Sequence, residues 1–242
     1  MVFRPDYIIV GGGSAGCVLA NRLSADQKTT VLLIEAGGHD TSPWFKIPIG
    51  YYFLRGNKKC DWHFFTKTDP EMKNRSFVWP RGKVIGGSSS INGLAYVRGQ
   101  RKDFEDWRKS FNSSTKGKLW GWEGVEPYFR KLEGVKDPIA YSGMGKDGPI
   151  KIERAHADWP VIDAWVRAAT KAGYPLNHDY NSCYQEGVGL YQQTLDRGLR
   201  CSASTAYLRP IKQRPNLKIE TNTTAKRLVF EGKKVVGLEV RE

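Results

Sequence analysis

Cysteine, histidine, methionine and long apolar runs are all scarce in this sequence of 242 residues. No apolar run approaches the ~20 residues that span a bilayer, so we expect no transmembrane helix. The chain enters its first apolar run at Tyr7, which leaves no room for a signal peptide, and we therefore expect a cytoplasmic protein. The cysteines lie too far apart for a typical metal site. We predict free thiols and no bound metal at Cys17, Cys60, Cys183 and Cys201.

Acidic residues are also few, because 25 Asp and Glu stand against 38 Lys and Arg, for a formal net charge of +13. Such a charge is compatible with nucleic acid, an anionic membrane surface or an anionic ligand as partner. The basic residues are scattered, and no helix-turn-helix, ribonucleoprotein or zinc-finger pattern is present, so we predict no nucleic-acid binding. Peripheral contact with the inner membrane through basic patches stays open.

The start of the chain has the pattern of a βαβ unit. An apolar run at residues 7–10 is followed by glycines, by apolar positions at helical spacing over 17–23, and by a second apolar run at 30–35. Because parallel strands need such a crossover, we predict an α/β fold with a Rossmann-like domain and a parallel sheet. The two apolar runs do not alternate with polar residues, which predicts strands that are covered on both faces.

The glycines between the two runs satisfy G-x-G-x-x-G as Gly11, Gly13 and Gly16. The first permits a tight turn, the second lets a pyrophosphate approach the backbone, and the third lets the helix pack closely on the strand. The helix N-terminus then offers unpaired N–H groups to a diphosphate. Glu35 ends the second run, where its carboxylate can accept both ribose hydroxyls of an adenosine and would repel a 2′-phosphate. These features predict an adenine dinucleotide site and disfavour NADP, but they leave FAD and NAD open.

Later segments predict further helices and strands. Residues 39–80 are rich in proline and aromatic residues with little periodicity, which predicts an extended, packed connection. The pattern predicts helices over residues 103–107, 122–132 and 162–172. It predicts strands over residues 149–153, 217–221, 225–230 and 235–240, with a hairpin turn between the last two.

A second segment rich in glycine and serine, residues 79–99, resembles the first signature of the glucose–methanol–choline (GMC) oxidoreductase family. The positions that match this signature are Gly82, Lys83, Gly86, Gly87, Ser88, Ser89, Asn92, Tyr96 and Gly99. Further matches cover nearly the whole chain and include residues 34–37, 61–62, 103–107, 185–187, 200–203 and 206–208. Those at 185–187 and 200–208 resemble bacterial choline dehydrogenases and related alcohol dehydrogenases. This resemblance, and not the first glycine motif, selects FAD as the cofactor.

The resemblance implies three domain segments. They are the first part of an FAD-binding domain over residues 1–154, part of an α+β substrate domain over 155–214, and a return to the FAD-binding domain over 215–242. The residues predicted to contact FAD are Gly11, Gly13, Ser14, Ala15, Gly16, Glu35, Ala36, Arg81, Gly82, Gly86, Gly87, Ser88, Asn92, Gly93, Ala95 and, through its backbone at the adenine, Ala225.

Small residues at 86–90 would let main-chain N–H groups reach a ring system and a phosphate. Asn92 can offer both a donor and an acceptor to the pyrimidine edge of a flavin. Arg81 and Lys83 would add positive charge near the diphosphate. Some family members attach the flavin covalently through a His in this segment. Ile91 stands at the matching position here, so we predict non-covalent FAD.

The resemblance implies FAD-dependent oxidation of an alcohol to the aldehyde, in which hydride passes to the flavin while a His takes the hydroxyl proton. That His lies near the C-terminus of a longer chain. The histidines present match no such position, so we assign no catalytic residue: they are His39, His63, His156 and His178. We expect His63, which follows Trp62 in the sequence, to be a packing residue and the other three to lie on the surface or in loops.

Two functions therefore remain open. The sequence is either an N-terminal fragment of such an enzyme, inactive by itself, or a stand-alone flavin-binding or interaction module. Exposed apolar strand edges at a truncated sheet would favour the fragment. Choline and primary aliphatic or aromatic alcohols are candidate substrates, although the basic composition mildly disfavours a cation. The electron acceptor is either a quinone or oxygen.

Overall fold

The computed structural model describes residues 4–111, 115–136, 143–154, 158–182 and 184–241, without the side chains of residues 115 and 116. Its strands are β1 (Tyr7–Val10), β2 (Val31–Ile34), β3 (Phe64–Phe65), β4 (Val78–Trp79), β5 (Ala95–Tyr96), β6 (Glu133–Val135), β7 (Ile150–Arg154), β8 (Gln192–Gln193), β9 (Leu195–Asp196), β10 (Leu199–Arg200), β11 (Leu217–Glu220), β12 (Thr224–Glu231) and β13 (Lys234–Arg241). Its α-helices are α1 (Ser14–Leu23), α2 (Tyr51–Leu54), α3 (Arg101–Ser110), α4 (Thr115–Trp120), α5 (Trp122–Leu132) and α6 (Pro160–Lys171). The chain forms two compact units, a first unit of Met1–Gly93 with Gly198–Glu242 and a second unit of Leu94–Arg197.

A parallel sheet in the first unit confirms the predicted βαβ unit. β1 and β2 pair in parallel, with Tyr7 opposite Val31, and α1 connects them. β11 pairs in parallel with the other edge of β2, with Leu217 opposite Val31, so the strand order is β1-β2-β11. The predicted α/β, Rossmann-like fold class is confirmed.

The prediction that both early strands are covered on both faces is right for β2 and wrong for β1. In β2, Val31 and Leu33 are fully buried and Ile34 is 4% exposed. In β1, only Ile9 is buried, while Tyr7 and Val10 are 50% and 57% exposed. The difference follows from position, because β2 is the central strand and β1 lies at an edge of this sheet.

The remainder of the first unit contains a small apolar cluster and a β-hairpin. Residues 39–80 contain short 3₁₀ turns, α2 and the antiparallel pair β3–β4, as expected for a packed connection with little regular structure. Their buried side chains join those of the second glycine segment in one cluster that comprises Phe45, Leu54, Cys60, Val84 and Ile91. The predicted strands over 225–230 and 235–240 are β12 and β13, an antiparallel hairpin that turns at Gly232.

The second unit contains a four-stranded sheet of order β5-β8-β7-β6. The aromatic side chains of its predicted helices meet, since the ring of Phe104 in α3 lies 5.6 Å from Trp122 and 5.8 Å from Phe129, both in α5. Beside them Arg98 forms a buried ion pair with Glu133, which also accepts the hydroxyl of Tyr96 at 2.6 Å. Each predicted helix and strand thus has a counterpart in the structure.

The two compact units divide the chain at other points than the three domain segments expected from the sequence. The breaks fall at Gly93/Leu94 and Arg197/Gly198, whereas we expected them after residues 154 and 214. β5, β6 and β7 form one sheet with β8, which lies near the end of the second unit. This pairing is the physical reason that these strands separate from the first glycine motif. Which unit binds cofactor and which binds substrate stays a prediction.

Candidate functional site

The first glycine motif forms the tight turn between β1 and α1. Gly11 has a φ of +95°, a left-handed conformation that favours glycine, and its N–H donates to the Ile34 carbonyl at 2.7 Å. At Gly16 a Cβ would lie 1.9 Å from the Gly11 carbonyl oxygen, so no larger residue fits where the helix meets the strand. Two of the three roles predicted for these glycines, the turn and the close packing, are therefore visible in the backbone.

The N-terminus of α1 is open. Gly13 is its N-cap, no side chain caps the helix, and Ser14 and Ala15 in its first turn are exposed. A Cβ on Gly11 would meet no atom within 4 Å, and one on Gly13 would meet its nearest atom at 4.0 Å. The helix therefore presents N–H groups and a positive dipole end towards space that is bordered by glycine backbone.

Glu35 is buried directly beyond β2 and holds the turn together. Its carboxylate accepts the N–H of Gly12 at 2.7 Å and that of Gly37 at 2.8 Å, one on each oxygen. A carboxylate has about four acceptor positions, so each oxygen retains capacity for a ribose hydroxyl. The sequence predicted the place of Glu35 but not this second task of fixing the glycine turn.

The two glycine segments meet backbone to backbone. The N–H of Gly86 donates to the Gly12 carbonyl at 2.7 Å, and a Cβ on Gly87 would lie 2.7 Å from the Cα of Gly13. Gly86 and Gly87 both have positive φ, at +87° and +55°. Only glycines permit this approach, which brings residues from two distant motifs to the N-terminus of α1.

Hydroxyl groups brace the second glycine segment from within. Ser88 Oγ accepts the N–H of Gly82 at 3.1 Å, and Ser89 Oγ donates to the Gly86 carbonyl at 2.6 Å. At Gly82 a Cβ would come within 2.3 Å of the Gly87 carbonyl, so this glycine is required for packing. Gly93, an exposed residue of the segment, has open space where a Cβ would stand.

Asp61 is a structural residue of this site. It matches the family pattern, but the sequence analysis assigned it no role. Its buried carboxylate accepts the N–H groups of Gly56 at 2.8 Å and of His63 and Arg81 at 2.9 Å. Burial raises the pKa of Asp61, but these three donors outweigh it and hold that pKa below its usual range. The charged carboxylate thereby ties residues 56–63 to the start of the second glycine segment.

The basic residues near this segment rest on aromatic rings. The guanidinium of Arg81, an exposed residue, lies 5.1 Å from the ring centre of Trp79, and the ammonium of Lys83 lies 5.1 Å from that of Trp62. Lys83 also lines a cavity of about 680 Å³ together with Ala36, Gly37 and Asn222. Positive charge is thus present next to the strand end that carries Glu35.

The chain that leads to Ala225 runs beside the same strand end. The N–H of Asn222 donates to the Gly37 carbonyl at 2.8 Å, and that of Thr223 donates to the Glu35 carbonyl at 2.9 Å. Ala225 itself is half-buried two residues further on. Ala95 lies in the second unit, in β5.

Arg200 is a further residue of this site. It lies in a segment that matches the family, but the sequence analysis assigned it no role. Its Nη1 donates to Asn92 Oδ1 at 2.7 Å and to the Ser89 carbonyl at 3.2 Å. Asn92 is exposed, whereas Arg200 is only 3% exposed, so the arginine lies beneath the asparagine. The two residues are 108 positions apart in the chain, a distance at which no local pattern predicts contact.

The histidines and cysteines form no catalytic or metal centre in the part of the chain that the structure describes. His63 packs edge-on against Phe65 with ring centres 5.0 Å apart, while His39 and His178 are exposed. Cys17, Cys60 and Cys201 are buried thiols, and burial raises the pKa of Cys17 to about 12. Within the described ranges no group of three or more metal-binding side chains occurs, and none of the helices is long and apolar enough to cross a membrane. His156 and Cys183 lie outside the described residues.

Comparison with known proteins gives consistent matches over almost the full chain. The GMC oxidoreductase family profile matches residues 5–242. An alcohol dehydrogenase [acceptor] from Pseudomonas putida is 42% identical over 96% of this chain and 41% of its own length. An oxygen-dependent choline dehydrogenase from Brucella anthropi is 41% identical over 97% of this chain and 42% of its own length. The chain thus spans about two-fifths of the length of these curated relatives.

Solved structures also match the fold of this chain. The crystal structure of pyridoxine 4-oxidase from Mesorbium loti superposes with a TM-score of 0.88 at 35% identity, covering 98% of this chain and 46% of the other. These matches confirm the predicted Rossmann-like fold, FAD as the cofactor of the family, and an oxidoreductase class that includes alcohol and choline dehydrogenases. The chain belongs to the GMC oxidoreductase family.

Proposed function

We propose that this chain forms the FAD-binding part of an enzyme that oxidises an alcohol to the aldehyde. The observation that carries the proposal is the meeting of the two glycine segments at the uncapped N-terminus of α1, where Gly86 bonds to Gly12 and Gly87 contacts Gly13. The open backbone supports a diphosphate at this N-terminus, and the carboxylate of Glu35 beside the turn supports a ribose there. FAD supplies the electron-accepting ring system when bound.

The residues of this chain bind and orient the cofactor. The N–H groups at the start of α1 face the diphosphate, and the carboxylate of Glu35 accepts the ribose hydroxyls of the adenosine. The backbone near Ala225 lies at the adenine end, because residues 222 and 223 are held against Gly37 and Glu35. Asn92, an exposed residue of the second glycine segment, would present its amide to the flavin. The remaining residues of the proposed site are Gly82, Ser88, Arg81, Gly93, Ala36 and Ala95.

We assign no catalytic base to this chain, because none of the described histidines lies among the residues of the two glycine segments. We propose that the second unit contributes part of the substrate domain and that the alcohol is small, either choline or a primary alcohol. One of the two relatives is named as an alcohol dehydrogenase and the other as an oxygen-dependent choline dehydrogenase, which supports this choice. A quinone acceptor and a cytoplasmic location, with or without peripheral contact at the inner membrane, are part of the same proposal.

Titration of the 242-residue chain with FAD tests the cofactor and the missing base separately. We expect saturable FAD binding, measured by the quenching of flavin fluorescence. We expect no reduction of a redox dye when choline or a primary alcohol is added. Absence of FAD binding would contradict the cofactor assignment. Turnover of any of these alcohols would show that a catalytic base lies within this chain.

The alternative of a stand-alone flavin-binding module makes a different prediction for solution behaviour. Large apolar side chains are exposed on β1 and on the β12–β13 hairpin, among them Val10, Leu228, Phe230 and Val235. Such surfaces favour association with further protein over an independent module. A monodisperse, monomeric chain at high concentration, measured by light scattering, would favour the module instead.

A further inference from the structure

Arg200 occupies an unusual environment in the first unit. It is 3% exposed, its backbone N–H donates to the Lys46 carbonyl at 2.8 Å, and its Nη1 bridges Ser89 and Asn92. Both of these acceptors belong to the second glycine segment. The guanidinium therefore lies under the surface that the proposed function assigns to the flavin.

The positive charge of Arg200 has no carboxylate partner among the described residues. Its Nε and Nη2 are buried and donate to no group in that part of the chain. Burial lowers the pKa of Arg200 to about 10, so the guanidinium remains charged near neutral pH. Arg98 in the second unit gives the contrast, because it is buried to a similar extent but is paired with Glu133.

A buried charge without a counter-charge is costly to keep, so its place is informative. A surface arginine could hold Asn92 without this cost, and a neutral amide could bond to the Ser89 carbonyl. The combination of a full charge, buried donors and two acceptors on one segment indicates an anionic group that completes the environment.

We propose that Arg200 is a positioning residue for FAD, which fixes Ser89 and Asn92 and supplies an uncompensated positive charge beneath the flavin-binding surface. The inference rests on the proposed function, because it assumes that the second glycine segment receives FAD. The contact of Nη1 with Asn92 Oδ1 also orients that side chain, since it reserves the amide oxygen for Arg200 and turns the NH₂ group away from it. A reduced flavin is anionic near neutral pH, so a nearby positive charge stabilises it and raises its reduction potential.

The test compares Arg200→Met, Arg200→Lys and the control Arg214→Met in the 242-residue chain. Arg214 is a matched arginine of the first unit, because its Nη1 also donates to two oxygens, those of Asn21 and Ser24, at the other end of α1. The measurements are the dissociation constant of FAD by fluorescence titration and the midpoint potential of the bound flavin by equilibration with a reference dye.

We expect Arg200→Met to weaken FAD binding at least about tenfold, since a charge-assisted hydrogen bond is lost, and to make the midpoint potential more negative. Lysine keeps a positive charge but lacks the planar fork, so Arg200→Lys should weaken binding while its potential stays closer to that of the parent. Arg214→Met should leave both quantities unchanged.

Parent values of both quantities in Arg200→Met would overturn the inference. If that variant does not fold, Arg200→Lys decides, because unchanged binding in this variant contradicts the positioning role. If the parent chain itself does not bind FAD, the proposed function fails first. That outcome is distinct from a parent that binds FAD with no effect of Arg200.

Discussion

Gly13 is a position where an added side chain should affect cofactor binding but not the stability of the fold. Its backbone is extended, with φ of −76°, and an added Cβ would meet its nearest atom at 4.0 Å. We therefore expect Gly13→Ala to fold with a free energy of unfolding within about 0.5 kcal/mol of the parent. The new methyl group would occupy the approach of the diphosphate, and we expect FAD binding to weaken by about tenfold or more.

The control for this variant is Gly237→Ala in β13, where the nearest atom to an added Cβ is 3.9 Å away. It has similar room but lies outside the proposed site. Fluorescence titration with FAD and urea denaturation of both variants separate the two effects. Equal FAD affinities in Gly13→Ala and Gly237→Ala would contradict a diphosphate at the start of α1.

Gly16 gives the opposite result, although it belongs to the same motif. A Cβ there would lie 1.9 Å from the Gly11 carbonyl oxygen, so backbone must move before alanine fits. We expect Gly16→Ala to lower the free energy of unfolding by about 1–3 kcal/mol, the usual range for overpacking. Urea denaturation without any cofactor measures it, and a parent-like stability would show that the β1–α1 turn is less tightly packed than its geometry indicates.

At the scale of elements, Asp61 links the loop of residues 56–63 to the second glycine segment. In Asp61→Asn only one of the two oxygens remains, and the new NH₂ group faces an N–H donor. We expect a loss of about 1–3 kcal/mol in the free energy of unfolding near neutral pH, since a backbone donor loses its acceptor and two donors face each other at a buried side chain.

The same carboxylate predicts a dependence on pH with a definite sign. Backbone donors hold the pKa of Asp61 below its usual range in the folded chain. Its stabilising contribution is therefore complete above the pKa of the unfolded state, about 3.9, and is lost as pH falls through the lower folded value. Urea denaturation from neutral pH into the acid range should show the parent and Asp61→Asn converging in stability. The exposed carboxylate variant Asp158→Asn is the control, and a constant difference at all pH values would contradict this account.

The elements that the sequence predicted are those with a local signal. β1, α1 and β2 follow from apolar runs and glycine spacing, and the β12–β13 hairpin follows from two apolar runs around Gly232. In the four-stranded sheet of the second unit the sequence predicted β7 alone, because β5 and β8 are only two residues long each. Two residues cannot show an alternation, so pairing between distant segments decides these strands.

The candidate site follows the same division. The motif and the resemblance assigned Gly13, Gly87 and Glu35 to one cofactor site. In the structure Gly87 lies against Gly13, and Gly12 bonds to Glu35, while FAD binding by these residues stays a prediction. The motif and the resemblance could not indicate that Asp61 bonds to Arg81 over 20 positions, or that Arg200 bonds to Asn92 over 108. Such contacts depend on the folded path of the chain, and only the structure assigns roles to these side chains.

At the scale of the whole molecule, the first unit is discontinuous, because residues after 197 return to the sheet that the first residues begin. The sequence placed the domain boundaries elsewhere, after residues 154 and 214, because pairing between distant segments leaves no local signal. The return brings β11 beside β2, and it also delivers Arg200 and the backbone before Ala225 to the two glycine segments. A cofactor bound there should therefore stabilise both parts of the first unit together.

Whether the flavin is covalently attached is a property of the whole FAD-loaded molecule. Ile91 stands where the resemblance places a covalently attached histidine, and its side chain is 2% exposed within the cluster that contains Val84. An alkyl side chain offers no nucleophile, so FAD should be held by non-covalent contacts alone. After acid precipitation of the FAD-loaded chain, we expect the yellow colour in the supernatant and a colourless pellet, measured by absorbance of both fractions. The heat-denatured chain without added FAD is the blank, and flavin absorbance that stays with the washed pellet would show a covalent bond at another residue.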